Sequence, residues 1–145
     1  MHGNRTLLRD ARGFTLVELL VVVLILAILA TIALPAFLSQ RAKGHDSEAQ
    51  STVRTAVVAL RTFEMDQDTF DASRADLENI EPALLDATGD FDVVGTATDL
   101  SVTERSASGT SFTLTRDDAG VTTRSCTVPG RGLCRSSLDA DGNRW

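Results

Sequence analysis

A long apolar segment dominates the N-terminal part of the chain. From Leu19 to Ala30 every residue is apolar, and the apolar character continues through Leu38. A helix over residues 14–38 would rise about 37 Å, which exceeds the roughly 30 Å hydrocarbon core of a bilayer. The pattern therefore predicts a membrane-spanning helix over residues 14–38.

After this segment the apolar residues recur at spacings of three and four. They are Ala49, Val53, Ala56, Val57, Leu60 and Phe63. This spacing places them on one face of a helix, so we predict an amphipathic continuation over residues 39–63 that packs on a small sheet. Gly44 interrupts the pattern, and two independent helices joined by a linker are the alternative.

The middle of the chain is acidic. Residues 64–104 contain twelve acidic side chains and a single basic one, Arg74. We predict an acidic loop region over residues 64–99 with a short helix at about 75–86, which Pro82 bends or ends. A solvated face is the simplest interpretation of these charges. The alternative is that they meet the five arginines of residues 116–145 on another subunit.

The C-terminal region, residues 100–145, has the pattern of short strands. The β-prone stretches are Val93–Val94, the weakest, then Leu100–Glu104, Ser111–Arg116 and Val121–Cys126. Gly-containing turns between them predict an antiparallel meander. Alternation at Phe112, Leu114 and Val121 would direct one face toward the long helix. The predicted fold class is α+β, a long N-terminal helix packed on three or four antiparallel strands.

Charge and composition restrict the function classes. The formal charge of −6 includes +2 in residues 1–13, so the rest of the chain carries −8. An acidic surface repels phosphate backbones, and we expect no general nucleic-acid binding. His45 is the one histidine after residue 13, and no motif flanks a candidate nucleophile. We therefore expect neither enzymatic activity nor a cofactor.

Glu18 is an acidic residue in the apolar segment with no basic side chain near it. A charge there costs on the order of 2.5–3.5 kcal/mol on insertion scales, so it needs a partner. The nearest candidate is an α-amino group, provided that the chain is cut after Gly13 and begins at Phe14. A secretory signal peptide and a plain single-pass anchor are the alternatives.

The segment Arg12-Gly13-Phe14-Thr15-Leu16-Val17-Glu18-Leu19-Leu20-Val21-Val22 resembles the prepilin signature of type IV pilins and their pseudopilin relatives. The resemblance implies that residues 1–13 are a leader, that a prepilin peptidase cuts between Gly13 and Phe14, and that the enzyme methylates the new amine of Phe14. It also implies that Glu18 pairs with the terminal amine of a neighbouring subunit during assembly. Pro35 matches a common pilin position, where we expect a bent or locally unwound helix.

The same resemblance implies partners and a location. The subunit would wait in the cytoplasmic membrane among lipids, meet the inner-membrane pilus assembly platform, and polymerise into a homo-oligomeric filament at the cell surface. The leading hypothesis is a structural subunit of a type IV pilus. The alternatives are a pseudopilin of a type II secretion system and a monomeric membrane-anchored binding module.

Two features near the C-terminus suggest further sites. Cys126 and Cys134 enclose a short loop with one proline and two glycines, which favours a disulfide; two free thiols are the alternative. The loop also resembles the disulfide-bounded C-terminal loop of many pilins. Asp139, Asp141 and Asn143 alternate as in the start of a calcium loop, but the glycine is misplaced for an EF-hand. We therefore predict an Asp-Gly turn and no metal, with these three residues as weak calcium candidates.

Overall fold

The computed structural model describes residues 13–87 and 91–145. Its elements are the helices α1 (Leu16–Gln67) and α2 (Arg74–Ile80), a 3-10 turn (Pro82–Leu84), and the strands β1 (Phe91–Gly95), β2 (Leu100–Arg105), β3 (Ser111–Arg116) and β4 (Thr122–Cys126). The strands form one antiparallel sheet in the order β1-β2-β3-β4. The predicted α+β class, a long helix with a small antiparallel sheet, is confirmed. Residues 1–12 of the predicted leader lie outside the described residues.

Helix α1 is continuous over 52 residues. It passes through Pro35 and Gly44 without a break, so the alternative of two helices joined by a linker is wrong. Local unwinding at Pro35 is also absent. The chain divides into two compact units, one that ends at Phe37 and one that comprises Leu38–Trp145. We refer to the second unit as the head.

The head is built on one face of α1. The buried side chains of this helix are Asp46, Ala49, Gln50, Val53, Ala56, Val57, Ala59 and Leu60. Five of the six predicted apolar positions are among them, and the sixth, Phe63, packs partly buried against the same cluster. Small residues such as Ala49 and Ala56 allow the helix to approach the sheet closely, and Phe112 of β3 lies fully buried beneath it.

The strand register explains one wrong prediction. Phe112 pairs with Cys126 and Leu114 pairs with Arg124, so the even-numbered residues of β4 face the helix. Val121 precedes the strand and is 56 % exposed. It belongs to the turn instead, where its N–H donates to Asp117 Oδ1 at 2.8 Å. The hydrogen-bonded turn, and not the apolar side chain, decides where β4 begins.

The acidic region contains more structure than a loop. The Ser73 hydroxyl accepts from the Asp76 N–H, and Asp76 Oδ2 accepts from the Ser73 N–H at 2.9 Å, which forms a capping box. The helix that follows ends at Ile80, two residues before Pro82, and Pro82 then opens a separate 3-10 turn. The sequence predicted a short helix at about 75–86 that Pro82 bends or ends, and the structure has the helix end before Pro82. Proline separates it into two shorter elements because it lacks the N–H that the helix needs.

Candidate functional site

The predicted processing site lies just before α1. Gly13 and Phe14 are exposed and precede the first helical residue, Leu16. Thr15 caps the helix: its Oγ1 accepts from the Glu18 N–H at 3.1 Å, and its carbonyl accepts from the Leu19 N–H at 3.2 Å. The Gly13–Phe14 peptide bond is therefore accessible, in a non-helical segment of the kind that peptidases cut readily.

Glu18 lies in the first turn of α1, exposed and without a basic partner among the described residues. The unpaired N–H groups of a helix N-terminus carry a partial positive charge, which favours a carboxylate at this position. This interaction reduces the cost of the charge but leaves both carboxylate oxygens available. The arrangement fits a group that pairs with a second positive partner.

The first half of α1 presents an uncovered apolar surface. Every residue from Gly13 to Gln40 is exposed. Helix α1 is long and apolar enough to cross a membrane by length and composition. Residues 16–37 alone rise about 33 Å, close to the thickness of a hydrocarbon core. Water is a poor solvent for such a surface, and exposed apolar surfaces of this size mark sites of contact with protein or membrane.

The disulfide between Cys126 and Cys134 is present, and the prediction of a bridge is confirmed. The bond joins the end of β4 to the loop that follows it, and Cys134 is 2 % exposed within the core cluster. The enclosed loop is further closed by the Gly130 N–H, which donates to the Cys134 carbonyl at 2.8 Å.

A buried carboxylate connects this loop to the long helix. Asp46 of α1 is fully buried, and its Oδ2 accepts from the Leu133 N–H at 2.9 Å. Its Oδ1 accepts from the hydroxyls of Ser106 and Ser108, at 2.7 and 2.5 Å. Hydrogen bonds to an ionised acceptor are stronger than those between neutral groups. Asp46 therefore holds the β2–β3 turn and the disulfide loop against one turn of α1.

Gly132 completes this contact. Its φ is +58°, and a Cβ on this residue would overlap Asp46 Oδ2. Sequence reasoning did not identify Asp46, its two serines or Gly132 as an anchor. A signal for Asp46 was present, because it lies three residues before Ala49 and seven before Val53, inside the apolar stripe of the helix. Nothing in the sequence indicated which groups would meet it.

The three weak calcium candidates have other roles in the structure. Asp139 Oδ1 accepts from the N–H groups of Asp141 and Asn143, at 3.0 and 2.7 Å. Asn143 is buried, and its Oδ1 accepts from the Arg124 N–H at 2.8 Å. No group of three or more His, Cys, Asp or Glu side chains within residues 13–87 and 91–145 is placed to hold a metal ion. The hydrogen bond from the Asn143 backbone, helped by Asp141 and Arg135, lowers the pKa of Asp139.

The predicted N-terminal motif has a match among known protein families. The family model described as "Prokaryotic N-terminal methylation motif" matches residues 8–34. This stretch contains Gly13, Phe14 and Glu18 and covers about a fifth of the chain. The match is therefore local to the segment that begins α1.

Three similar proteins extend beyond the motif. The "Type IV wide pilus major component PilA4" of Thermus thermophilus is 27% identical over 130 residues, which cover 90% of this chain and 91% of that protein. The "Type IV major pilin protein PilA" of Myxococcus xanthus is 41% identical over 59 residues, 41% of this chain and 27% of that protein.

The "Type II secretion system core protein G" of Pseudomonas aeruginosa is 31% identical over 70 residues, 48% of this chain and 49% of that protein. The chain thus spans most of the Thermus relative, but about a quarter and about half of the other two. The structure and the comparisons point to the same kind of protein. The N-terminal helix is capped and apolar, the methylation motif matches at its start, and the similar proteins are pilins and a secretion-system protein. Together they support a place for this chain in the family of type IV pilins and type II secretion pseudopilins.

Proposed function

We propose that this protein is the structural subunit of a type IV pilus, cut after Gly13, methylated on Phe14 and polymerised through α1. The observation that carries the proposal is the exposed Gly13–Phe14 bond directly before a capped helix whose first turn carries Glu18. Similarity to PilA4 of Thermus thermophilus over nine tenths of the chain supports a pilus rather than another use of the motif.

Assembly follows from the chemistry of the first helix. Before assembly, lipid would cover the apolar side chains of residues 14–38, and the protein would be a single-pass protein of the cytoplasmic membrane. In the filament, the same surface would pack against α1 of neighbouring copies. Pro35 lies within this segment and removes one backbone hydrogen-bond donor from it, so α1 of the assembled subunit would bend there.

Assembly would depend on cleavage of the leader, because Glu18 needs a partner that only cleavage creates. A carboxylate among apolar helices needs a positive partner, and cleavage creates one in the amine of Phe14. The amine of one subunit would pair with Glu18 of the next. Uncut subunits lack this amine, so they would remain in the membrane. The partners implied are a prepilin peptidase that also methylates, an inner-membrane assembly platform, and further copies of this chain.

The test is a comparison of sheared surface filaments from cells that express the full chain with either of two substitutions. We expect Glu18→Ala to abolish filaments seen by electron microscopy while the cut subunit persists in the membrane fraction. The matched control, Val17→Ala, shortens an exposed neighbouring side chain without removing a charge and should preserve filaments. Normal filaments from Glu18→Ala would refute the proposed pairing.

A pseudopilin of a type II secretion system is the second candidate, and the similarity to core protein G of Pseudomonas aeruginosa favours it. Both candidates predict the same cut and the same helix packing. They differ in the product: a pilus yields surface fibres in sheared material, whereas a pseudopilin mutant loses protein secretion. Measuring both in one deletion strain separates the candidates.

A further inference from the structure

We infer that adjacent heads in the filament contact one another side by side, with an arginine-lined cleft of one copy facing an acidic flank of the next. The inference rests on the proposed filament and goes beyond it, because α1 packing and Glu18 pairing involve no residue of the head. It names a second copy of this chain as the partner of two surfaces that are both exposed in a single subunit.

The first surface is a cleft of about 360 Å³ between α1 and the disulfide loop, which we call the basic cleft. Its lining residues are Gln50, Arg54, Gly132, Leu133, Cys134, Arg135 and Trp145. Two arginines and no acidic residue line it; Arg135 already pairs with Asp139 at 3.3 Å, so Arg54 carries the positive charge that a partner would meet. The Arg54 guanidinium lies 5.5 Å from the centre of the Trp145 ring and has no hydrogen-bonded acceptor among the described residues. Its N–H donors are therefore available to a carboxylate from outside the subunit.

Arg54 is exposed, and its guanidinium lies over a ring that is itself held in place. Trp145 is 7 % exposed, packs edge-on against Phe112 at 5.9 Å, and donates its indole N–H to the Ser125 carbonyl at 2.8 Å. A guanidinium over such a ring gains cation–π attraction and loses side-chain freedom before a partner arrives. Less entropy is then lost when a carboxylate binds.

The second surface, which we call the acidic flank, lies where the 3-10 turn meets α1. A groove there is lined by Glu48, Ser51, Thr52, Thr55, Ala83, Leu84, Asp86 and Ala87. Glu48 and Asp86 are exposed, and no basic residue lines the groove. The adjoining residues 64–87 carry eight acidic side chains against Arg74 alone, so the flank belongs to the most negative part of the head.

The basic cleft and the acidic flank lie at the same position along the axis of α1. The cleft uses positions 50 and 54 of the helix, and the flank uses positions 48 to 55. At 3.6 residues per turn these two sets point about 130° apart, on opposite sides of the buried stripe. A sideways shift from one copy to the next, with little shift along the helix, therefore brings the flank of one copy to the cleft of the other.

Such a contact joins two different surfaces, so it repeats from copy to copy. It extends into an open helical assembly where the rotation between copies does not close a ring. The charges of the head favour one orientation of approach between two copies. The chain without residues 1–13 carries −8, so copies repel each other in most orientations. The basic cleft is a local exception, and it selects the approach in which an acidic surface faces it.

The first test is cross-linking of sheared filaments made from the full chain carrying both Arg54→Cys and Asp86→Cys. The native cysteines are bonded to each other, so the new thiols are the ones that a short bismaleimide joins. We expect a ladder of dimers, trimers and larger products, because each copy carries both halves of the contact. After cross-linking and denaturation, each single-cysteine variant should give the monomer and no ladder. The matched control pairs Arg54→Cys with Thr113→Cys, on the opposite face of β3, and should give no ladder.

The second test is charge reversal. We expect Arg54→Glu to lower filament yield about tenfold, and Arg54→Glu with Asp86→Arg to restore it. Arg105→Glu, which reverses an exposed arginine of β2, should leave the yield unchanged. Filaments without a ladder, or a double variant no better than Arg54→Glu alone, would overturn the side-by-side contact and leave the proposed function intact. Absence of filaments from the unaltered chain would overturn both.

Discussion

Substitution of Asp46 by alanine should destabilise the head more than any other change to an acidic residue of α1. The carboxylate accepts three hydrogen bonds, from the Ser106 hydroxyl, the Ser108 hydroxyl and the Leu133 N–H. Alanine removes both acceptor oxygens, and with them all three hydrogen bonds, and leaves the three donors facing a small cavity. The β2–β3 turn and the disulfide loop would then lose their shared attachment to the helix.

The expected magnitude follows from the burial of each donor. A hydrogen bond to a charged group contributes about 1.5–3 kcal/mol. The bonds from Ser108 and Leu133 are only partly buried, so water can replace the lost acceptor there, whereas the bond from Ser106 is buried. We therefore expect Asp46→Ala to lower the free energy of unfolding by about 3 kcal/mol, well below the simple sum. Asp46→Asn retains one acceptor and should cost about 1 kcal/mol.

The assay is urea unfolding of the full chain in detergent, followed by the fluorescence of Trp145. This residue is the one tryptophan in the sequence and is buried in the head, so its emission reports on the unfolding of that unit. Glu48→Ala is the control, because Glu48 lies on the same helix two residues further on and is exposed. A loss below about 1 kcal/mol for Asp46→Ala would refute the anchoring role.

Three further predictions concern the head. Replacing Cys134 by alanine should lower the free energy of unfolding by about 2.5 kcal/mol in the same urea assay, since the bridge closes a ring with a sequence separation of 8; an unchanged midpoint would contradict this. Asp68, just past α1, has φ +54°, so Asp68→Gly should raise stability by about 0.5–1 kcal/mol, whereas Asp66→Gly inside the helix should lower it. Because hydrogen bonds lower the pKa of Asp139, its contribution to stability is present above the ordinary aspartate pKa of 3.8 and is lost as the pH falls below it. The difference in urea midpoint between the parent and Asp139→Asn should therefore shrink in acid, and an equal pH dependence for Asp141→Asn would oppose this assignment.

The sequence predicted those parts of the fold that depend on periodicity. Spacings of three and four gave the buried face of α1, and β3 was predicted with the bounds Ser111–Arg116 that the structure has. These signals are local, since each residue's environment follows from its neighbours in the chain. The resemblance at Gly13, Phe14 and Glu18 likewise needed only adjacent residues.

The contacts that were missed are between residues far apart in the chain. Asp46 meets Ser106 and Leu133 across sixty or more positions, and no pattern within a short window links them. The apolar side chain of Val121 predicts a place in β4. Its backbone N–H donates to Asp117 in the turn instead, so the strand begins after it. The arginine-lined cleft similarly appears only when Arg54 of the helix and Arg135 of the loop come together.

The N-terminal mass of the subunit in sheared surface filaments tests the central claim most directly. The account predicts an N-terminal peptide that begins with Phe14 and carries one added methyl group on its amine. A peptide that retains any part of residues 1–13, or filaments that lack this protein altogether, would contradict it.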